Sequence, residues 1–298
     1  MANVVVNRMP YYQSIRVLMP EVATRMKPDL RTDIPAHNAD ETALWNAVGE
    51  EWVASRRQRL WRQHNDWVVG GLLRRWLQPG SGPALKTDLF DEALSDGLMP
   101  AMSDHASAVH GVDIAPEIVH SAGKRHPNMA VKVADIRELP YGDGTFATVV
   151  SPSTLDHFET TDEIHTALAE IRRVMTAGGR LVLLLDNPRN PKIALRARLG
   201  THALGKIKLA PYHYGKTLGP KEMAAAVDAA GFDVLETSGC MHCPRVSAVF
   251  VARQIERLSA PRLEAAFLAM LRPFEQLERL PTRYITGHFS ALVAEARD

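Results

Sequence analysis

Residues 108–136 read AVHGVDIAPEIVHSAGKRHPNMAVKVADI, and their pattern decides the fold. Ala108 to Asp113 is a short apolar run, Pro116 to Arg125 has the spacing of a helix, and Ala130 to Ala134 is apolar again. Strand, helix and strand of these lengths form a crossover unit. The helix has to pack back on the sheet with right-handed sense, so the two strands run parallel. An acid closes each strand: Asp113 the first and Asp135 the second.

The alternation continues outward in both directions. Upstream, Gln78-Pro79-Gly80-Ser81-Gly82-Pro83 breaks the chain, and Ala84 to Leu89 follows as strand one. Downstream come a strand at Phe146 to Ser151, a helix at Asp162 to Met175 and a strand at Arg180 to Asp186. Pro220 to Ala230 reads as a helix and Phe232 to Thr237 as a strand, followed by a helix at Pro261 to Leu280 and a last strand at Tyr284 to Ala294. The class expected is α/β, a doubly wound, mostly parallel, seven-stranded Rossmann-like sheet. Prolines 10, 20, 28 and 35 make residues 1–40 an irregular arm, and residues 41–80 carry amphipathic helices rich in arginine and tryptophan. Residues 81–298 form the Rossmann-like domain, with an insertion at about 188–220.

Composition narrows the function. Of 298 residues, 46% are hydrophobic and 23% charged, and 35 basic residues face 34 acidic ones. That balance gives no electrostatic reason to expect nucleic acid or an anionic membrane as partner. Two cysteines exclude a disulfide framework, and no apolar run is long enough to span a bilayer. The expectation is a cytoplasmic protein acting on a small molecule, with a homodimer left open.

In an open parallel sheet the ligand lies outside the carboxyl ends of the strands. Asp88, Asp113 and Asp135 all fall there. A carboxylate ending strand two can accept both hydroxyls of a ribose, and one after strand three can reach the exocyclic amine of an adenine. Taken singly, each acid could equally cap the following helix.

Two further stretches are more specific. Leu139 to Val149 (LPYGDGTFATV) and Leu168 to Leu181 (LAEIRRVMTAGGRL) resemble the motifs before strands four and five of class I S-adenosylmethionine-dependent methyltransferases, in particular the small-molecule group. The resemblance covers about Ala84 to Asn187, and Tyr214 to Glu236 more loosely. It implies S-adenosyl-L-methionine as cofactor, held by Asp88, by Asp113 with Ile114, by Asp135 with Ile136, and by Ser151 at the methyl-transfer site. It also implies that the helices of residues 41–80 cap the cleft, with Trp52, Trp61 and His64 facing it.

Strand one departs from the family pattern. The family places a glycine-rich loop there because only glycine lets the backbone approach the methionyl part of the cofactor. This chain has Asp88-Leu89-Phe90-Asp91-Glu92, with Phe90 and Glu92 at the first two glycine positions. Either Asp91 or Glu92 takes the cofactor's ammonium, or the site is remodelled for another ligand, or it is empty. Methyl transfer to oxygen or nitrogen needs an aligned acceptor and a base. In the stretch after strand four, His157 is the candidate base and Asp156 its orienting partner or a second base; the alternative is that Asp156 caps a helix and His157 packs beneath it.

Cys240-Met241-His242-Cys243 has the spacing of a metal or redox motif but lacks a second ligand pair, so no metal is expected and His242 is kept as a secondary catalytic candidate. Tyr212, Tyr214 and Arg245, with His64, are the candidate acceptor-binding residues. The reading is methyl transfer to oxygen, nitrogen or carbon of a small-molecule acceptor in a biosynthetic pathway. Its rivals are a methyltransferase-like protein that binds another nucleotide-like ligand or serves as a structural partner, and a cofactor-binding enzyme of non-methylating chemistry.

Overall fold

The computed structural model describes residues 39–55, 58–80, 82–206 and 215–298, with the side chains of 39–40, 51–55 and 199–206 excluded. Most of the arm expected over residues 1–40 lies outside this range, as do Tyr212, Tyr214 and the side chain of Trp52. Seven strands form one sheet in the order β3-β2-β1-β4-β5-β7-β6. They are β1 (Pro83–Lys86), β2 (Ala108–Asp113), β3 (Met129–Val133), β4 (Phe146–Pro152), β5 (Met175–Asp186), β6 (Phe232–Cys240) and β7 (Phe289–Ala296). The first five run parallel to one another, and β7 is antiparallel between β5 and β6, with Leu183 opposite Leu292. The strand order reverses at β1 and β4, where ligands of open α/β sheets bind.

Alternation along the strands feeds two apolar layers. Leu85, Val149, Leu181 and Leu183 point to one, completed by Ile164, Leu168 and Ile171 of the helix Thr161–Val174. Ala84, Val150, Val182 and Leu184 point to the other, completed by Leu72 and Leu73 of the helix Arg59–Trp76 and Ile118 of the helix Pro116–Arg125. Each fully buried Leu or Ile contributes about 1.5–3 kcal/mol. The helix Thr161–Val174 starts on a capping box, in which the Thr160 hydroxyl accepts from the Glu163 amide at 3.3 Å and the Glu163 carboxylate accepts from the Thr160 amide at 2.9 Å.

The expected helices of residues 41–80 are α1 (Ala39–Ser55) and α2 (Arg59–Trp76). Three expectations fail late in the chain. The helix expected to run to Leu280 ends at Leu271, and a 3-10 segment, Arg272–Arg279, follows because Pro273 cannot continue an α-helix. Tyr284 belongs to a helical turn, Arg283–Thr286, and the last strand starts at Phe289. Arg245–Leu258, assigned no element from the sequence, is a helix with Ala248, Ala252 and Ile255 buried at helical spacing.

Candidate active site

A cleft of about 230 Å³ opens at the carboxyl ends of β1 to β4 and under α1 and α2. Its β2–β3 side carries Asp113, Ile114, Asp135 and Ile136, all of which line it. One Asp113 carboxylate oxygen accepts from the Ala115 amide at 2.9 Å and the other from the Leu89 amide at 3.0 Å. These bonds fix the group at the strand end and leave lone pairs toward the cleft. Burial, reinforced by the neighbouring Asp88 charge, pushes the Asp113 carboxyl up to about 7. Asp135 holds Arg137 through two oxygens, with Nε to Oδ1 at 2.9 Å and Nη2 to Oδ2 at 2.6 Å. Arg137 extends to Glu163 at 2.6 Å and to Glu41 of α1 at 2.8 Å, so one guanidinium joins the first helix to the sheet.

On the β1 side, where the resemblance implies a glycine loop, the chain forms a short helix, Phe90–Leu94, anchored from within. Asp88 accepts from the Phe90 amide at 2.9 Å and starts that turn. Glu92 does not face the cleft. It is fully buried, pairs with buried Lys86 at 2.7 Å, and accepts from the Leu98 amide at 2.8 Å. Lys86 also donates to the Asp88 carbonyl. Gly97 makes room for this packing: at φ +54°, a Cβ there would fall 2.3 Å from the Glu92 carboxylate. Phe90, Asp88 and Asp91 do line the cleft, joined by Arg62 and Asn65 of α2. Asn65 donates to Asp91 at 3.4 Å. Asp91 is pushed up to about 6, first by burial, which neighbouring Lys86 partly offsets.

Beyond β4, His157 sits on a 3-10 turn, Leu155–His157, and reaches the cleft with its ring 4.6 Å edge-on from Trp45 of α1. Asp156 does not face the cleft. Its buried carboxylate accepts from the Ser153 hydroxyl at 2.9 Å and the Asp186 amide at 2.7 Å. Ser151 is also buried below the surface, accepting from the Thr87 hydroxyl at 2.9 Å, while Pro152, Ser153 and Thr154 line the cleft instead. Gly215 passes directly over the turn, where a Cβ would fall 2.2 Å from the Phe158 carbonyl.

Arg245 lines the cleft, stacked 5.5 Å from the Trp61 ring centroid and donating to His288. His242 lies elsewhere: one ring nitrogen faces the Thr286 hydroxyl at 2.8 Å and the other the Gly239 carbonyl at 2.9 Å. His64 points away from the cleft toward Cys243, at 3.5 Å.

Sequence reasoning missed Thr87, Arg137, Trp45 and Asp186 at the cleft wall. Asp186 ends β5 as Asp113 ends β2, so the same strand-end rule finds it. Thr87 and Arg137 lie just after β1 and β3, where their side chains gave no signal of their own, and Trp45 is brought in by the packing of α1.

Residues 94–183 match the family model described as "Methyltransferase domain". The chain is 26% identical over 177 residues to a ubiquinone biosynthesis O-methyltransferase of Paracidovorax citrulli, covering 57% of this chain and 72% of that protein. It is 22% identical over 229 residues to the Acinetobacter baumannii enzyme of the same name, covering 72% and 91%. A solved complex of the Haloferax volcanii Trm112 methyltransferase activator with a putative methyltransferase aligns with TM-score 0.54 and 16% identity, over 84% of this chain and 98% of that chain. The [4+2]-cyclase SpnF aligns with TM-score 0.51 and 17% identity, over 77% and 80%, which shows a shared fold. The match over residues 94–183 and the shared fold support a class I S-adenosylmethionine-dependent methyltransferase domain there, with S-adenosylmethionine as cofactor. Among the described residues no helix is long and apolar enough to cross a membrane.

Proposed function

We propose that the protein transfers a methyl group from S-adenosylmethionine to a small-molecule acceptor in a biosynthetic pathway, and that the cleft holds the cofactor in two chemically distinct halves. The observation that carries this reading is Asp113, pinned by two backbone amides at the end of β2 with its remaining lone pairs toward the cleft. There it accepts the ribose hydroxyls, with Ile114 and Ile136 against the adenine and Asp135 at its amine. The methionyl half lies against β1, its ammonium toward Asp91 and its carboxylate toward Arg62, which replace the missing glycines with side-chain charge. The sulfonium adds a cation to an acid-rich wall.

His157 is positioned to take a proton from an oxygen or nitrogen acceptor, since it reaches the cleft where Asp156 and His242 do not. Arg245 and Trp61 favour an acceptor with an anionic or planar group. Residues 81–298 act as the catalytic domain, 41–80 as its cap, and about 188–220 as an acceptor lid. The lid assignment is supported by the close passage of Gly215 over the His157 turn.

Calorimetric titration with S-adenosylmethionine and S-adenosylhomocysteine tests the reading. Saturable binding of both is expected. Folded protein that gives no heat at high micromolar ligand overturns it.

A further inference from the structure

His64, Cys243 and Glu275 come together outside the cleft: His64, expected from the resemblance to face it, turns away, and the proposed methyl transfer uses none of the three. They arrive from three places: helix α2, the loop after β6, and the 3-10 segment Arg272–Arg279. His64 Nε2 is 3.5 Å from Cys243 Sγ and 3.8 Å from Glu275 Oε1, and all three atoms lie within 4.8 Å of one another. His64 and Cys243 are buried and Glu275 nearly so.

We propose that this triad binds a zinc-class divalent metal ion. Imidazole, thiolate and carboxylate are the nitrogen, sulfur and oxygen donors that such ions take, and three protein ligands with one position left to solvent is a common zinc arrangement. Zinc bonded to sulfur and nitrogen at ordinary lengths and a tetrahedral angle holds those atoms about 3.5 Å apart, as found here. The corresponding nitrogen–oxygen separation is about 3.4 Å, which a small movement of the Glu275 carboxylate supplies. At 3.8 Å the imidazole and carboxylate are too far apart for a hydrogen bond, so the two do not satisfy each other directly.

The carboxylate is already oriented from behind, accepting from the Met241 amide at 3.0 Å and the His242 amide at 2.9 Å, in the manner of an outer-shell support. The ion is bound as Cys243 gives up its thiol proton to solvent. Because Trp61, Arg62 and Asn65 on the same helix line the cleft, the metal ties the cap to the body of the domain.

The sequence hides this site. Cys240 and Cys243 have motif spacing, yet the ligands that join Cys243 come from distant parts of the chain, and Cys240 stays outside the cluster.

Cobalt titration of chelator-treated full-length protein is the test. One equivalent of Co²⁺ is expected to give visible bands of a four-coordinate ion and a near-ultraviolet thiolate charge-transfer band, both abolished by added Zn²⁺. Cys243→Ser should remove the charge-transfer band and Cys240→Ser should leave it. Glu275→Gln, which keeps one of the two oxygens that accept from the backbone amides, should weaken Zn²⁺ binding at least about tenfold. If Cys243→Ser does not fold, its conclusion passes to Glu275→Gln and to the Zn²⁺-induced rise in Tm of the unaltered protein. No charge-transfer band at one equivalent, a band that survives Cys243→Ser, or a Tm indifferent to Zn²⁺ overturns the site.

Discussion

The two halves of the cleft solve the same problem with different materials. On the β2–β3 side, carboxylates at strand ends are held by backbone amides, and the fold alone supplies the geometry. On the β1 side the backbone cannot approach the ligand as a glycine loop would. A buried Lys86–Glu92 pair stiffens a short helix, and Arg62 and Asn65 of α2 line the cleft beside it. The first half depends on the sheet and the second on the cap. Disturbing the cap should therefore damage binding of the amino-acid half while sparing the nucleoside half.

The largest expected effect is on the support of the β1 side. Glu92→Gln leaves Lys86 buried beside a neutral partner, and breaking such a pair costs about 3–5 kcal/mol of stability. Urea denaturation checks this, and a loss below about 1 kcal/mol would mean that the pair does not support the turn. Next comes Asp113→Asn. Exchanging a charged acceptor for a neutral one at the ribose should cost about 1.5–3 kcal/mol, or roughly ten- to a hundredfold in affinity for S-adenosylmethionine and for 5′-methylthioadenosine alike. A change in only one of the two ligands would place the ribose elsewhere.

The sheet was legible in the sequence because each parallel strand is a short apolar run between helical segments, and the strand-end acids follow from topology. The β1 side was legible only as an anomaly. That Glu92 turns inward depends on Lys86 being on the β1 face below it, and that Arg62 lines the cleft depends on how α2 packs. In the sequence, Arg62 is one of several arginines on a helix where a solvated face is the default. Ser151, Asp156 and His242 sat beside the right segments but point below the surface. Strand alternation could have flagged Ser151; the other two are fixed by local hydrogen bonds that spacing does not encode.

Arg62→Gln isolates the cap's share. It should weaken S-adenosylmethionine about tenfold, in line with the loss of one charge-assisted contact, and leave 5′-methylthioadenosine, which lacks the amino-acid half, unchanged. Equal losses for both ligands would show that Arg62 only holds the cap in place.

The smallest effect is a pH dependence that separates the two halves again. Asp113 and Asp91 are raised to about 7 and about 6 from an ordinary 3.8. The folded protein therefore holds protons that the unfolded chain has already released. Ligand-free stability due to these groups is greatest below about pH 4 and falls as pH rises through about 6 to 7, because unfolding in that window releases protons. A ligand that brings an ammonium to Asp91 favours the ionised carboxylate. Affinity for S-adenosylmethionine should then rise between about pH 5 and 7, by at most about tenfold per unit for each linked proton. Calorimetry with 5′-methylthioadenosine over the same range reports the Asp113 share alone, so the steeper slope for S-adenosylmethionine measures Asp91. Asp91→Asn should reduce the steeper slope to the shallower one. If the two ligands already share one slope in the unaltered protein, the ammonium does not meet Asp91, and the β1 side binds its half of the ligand through Arg62 without a carboxylate partner.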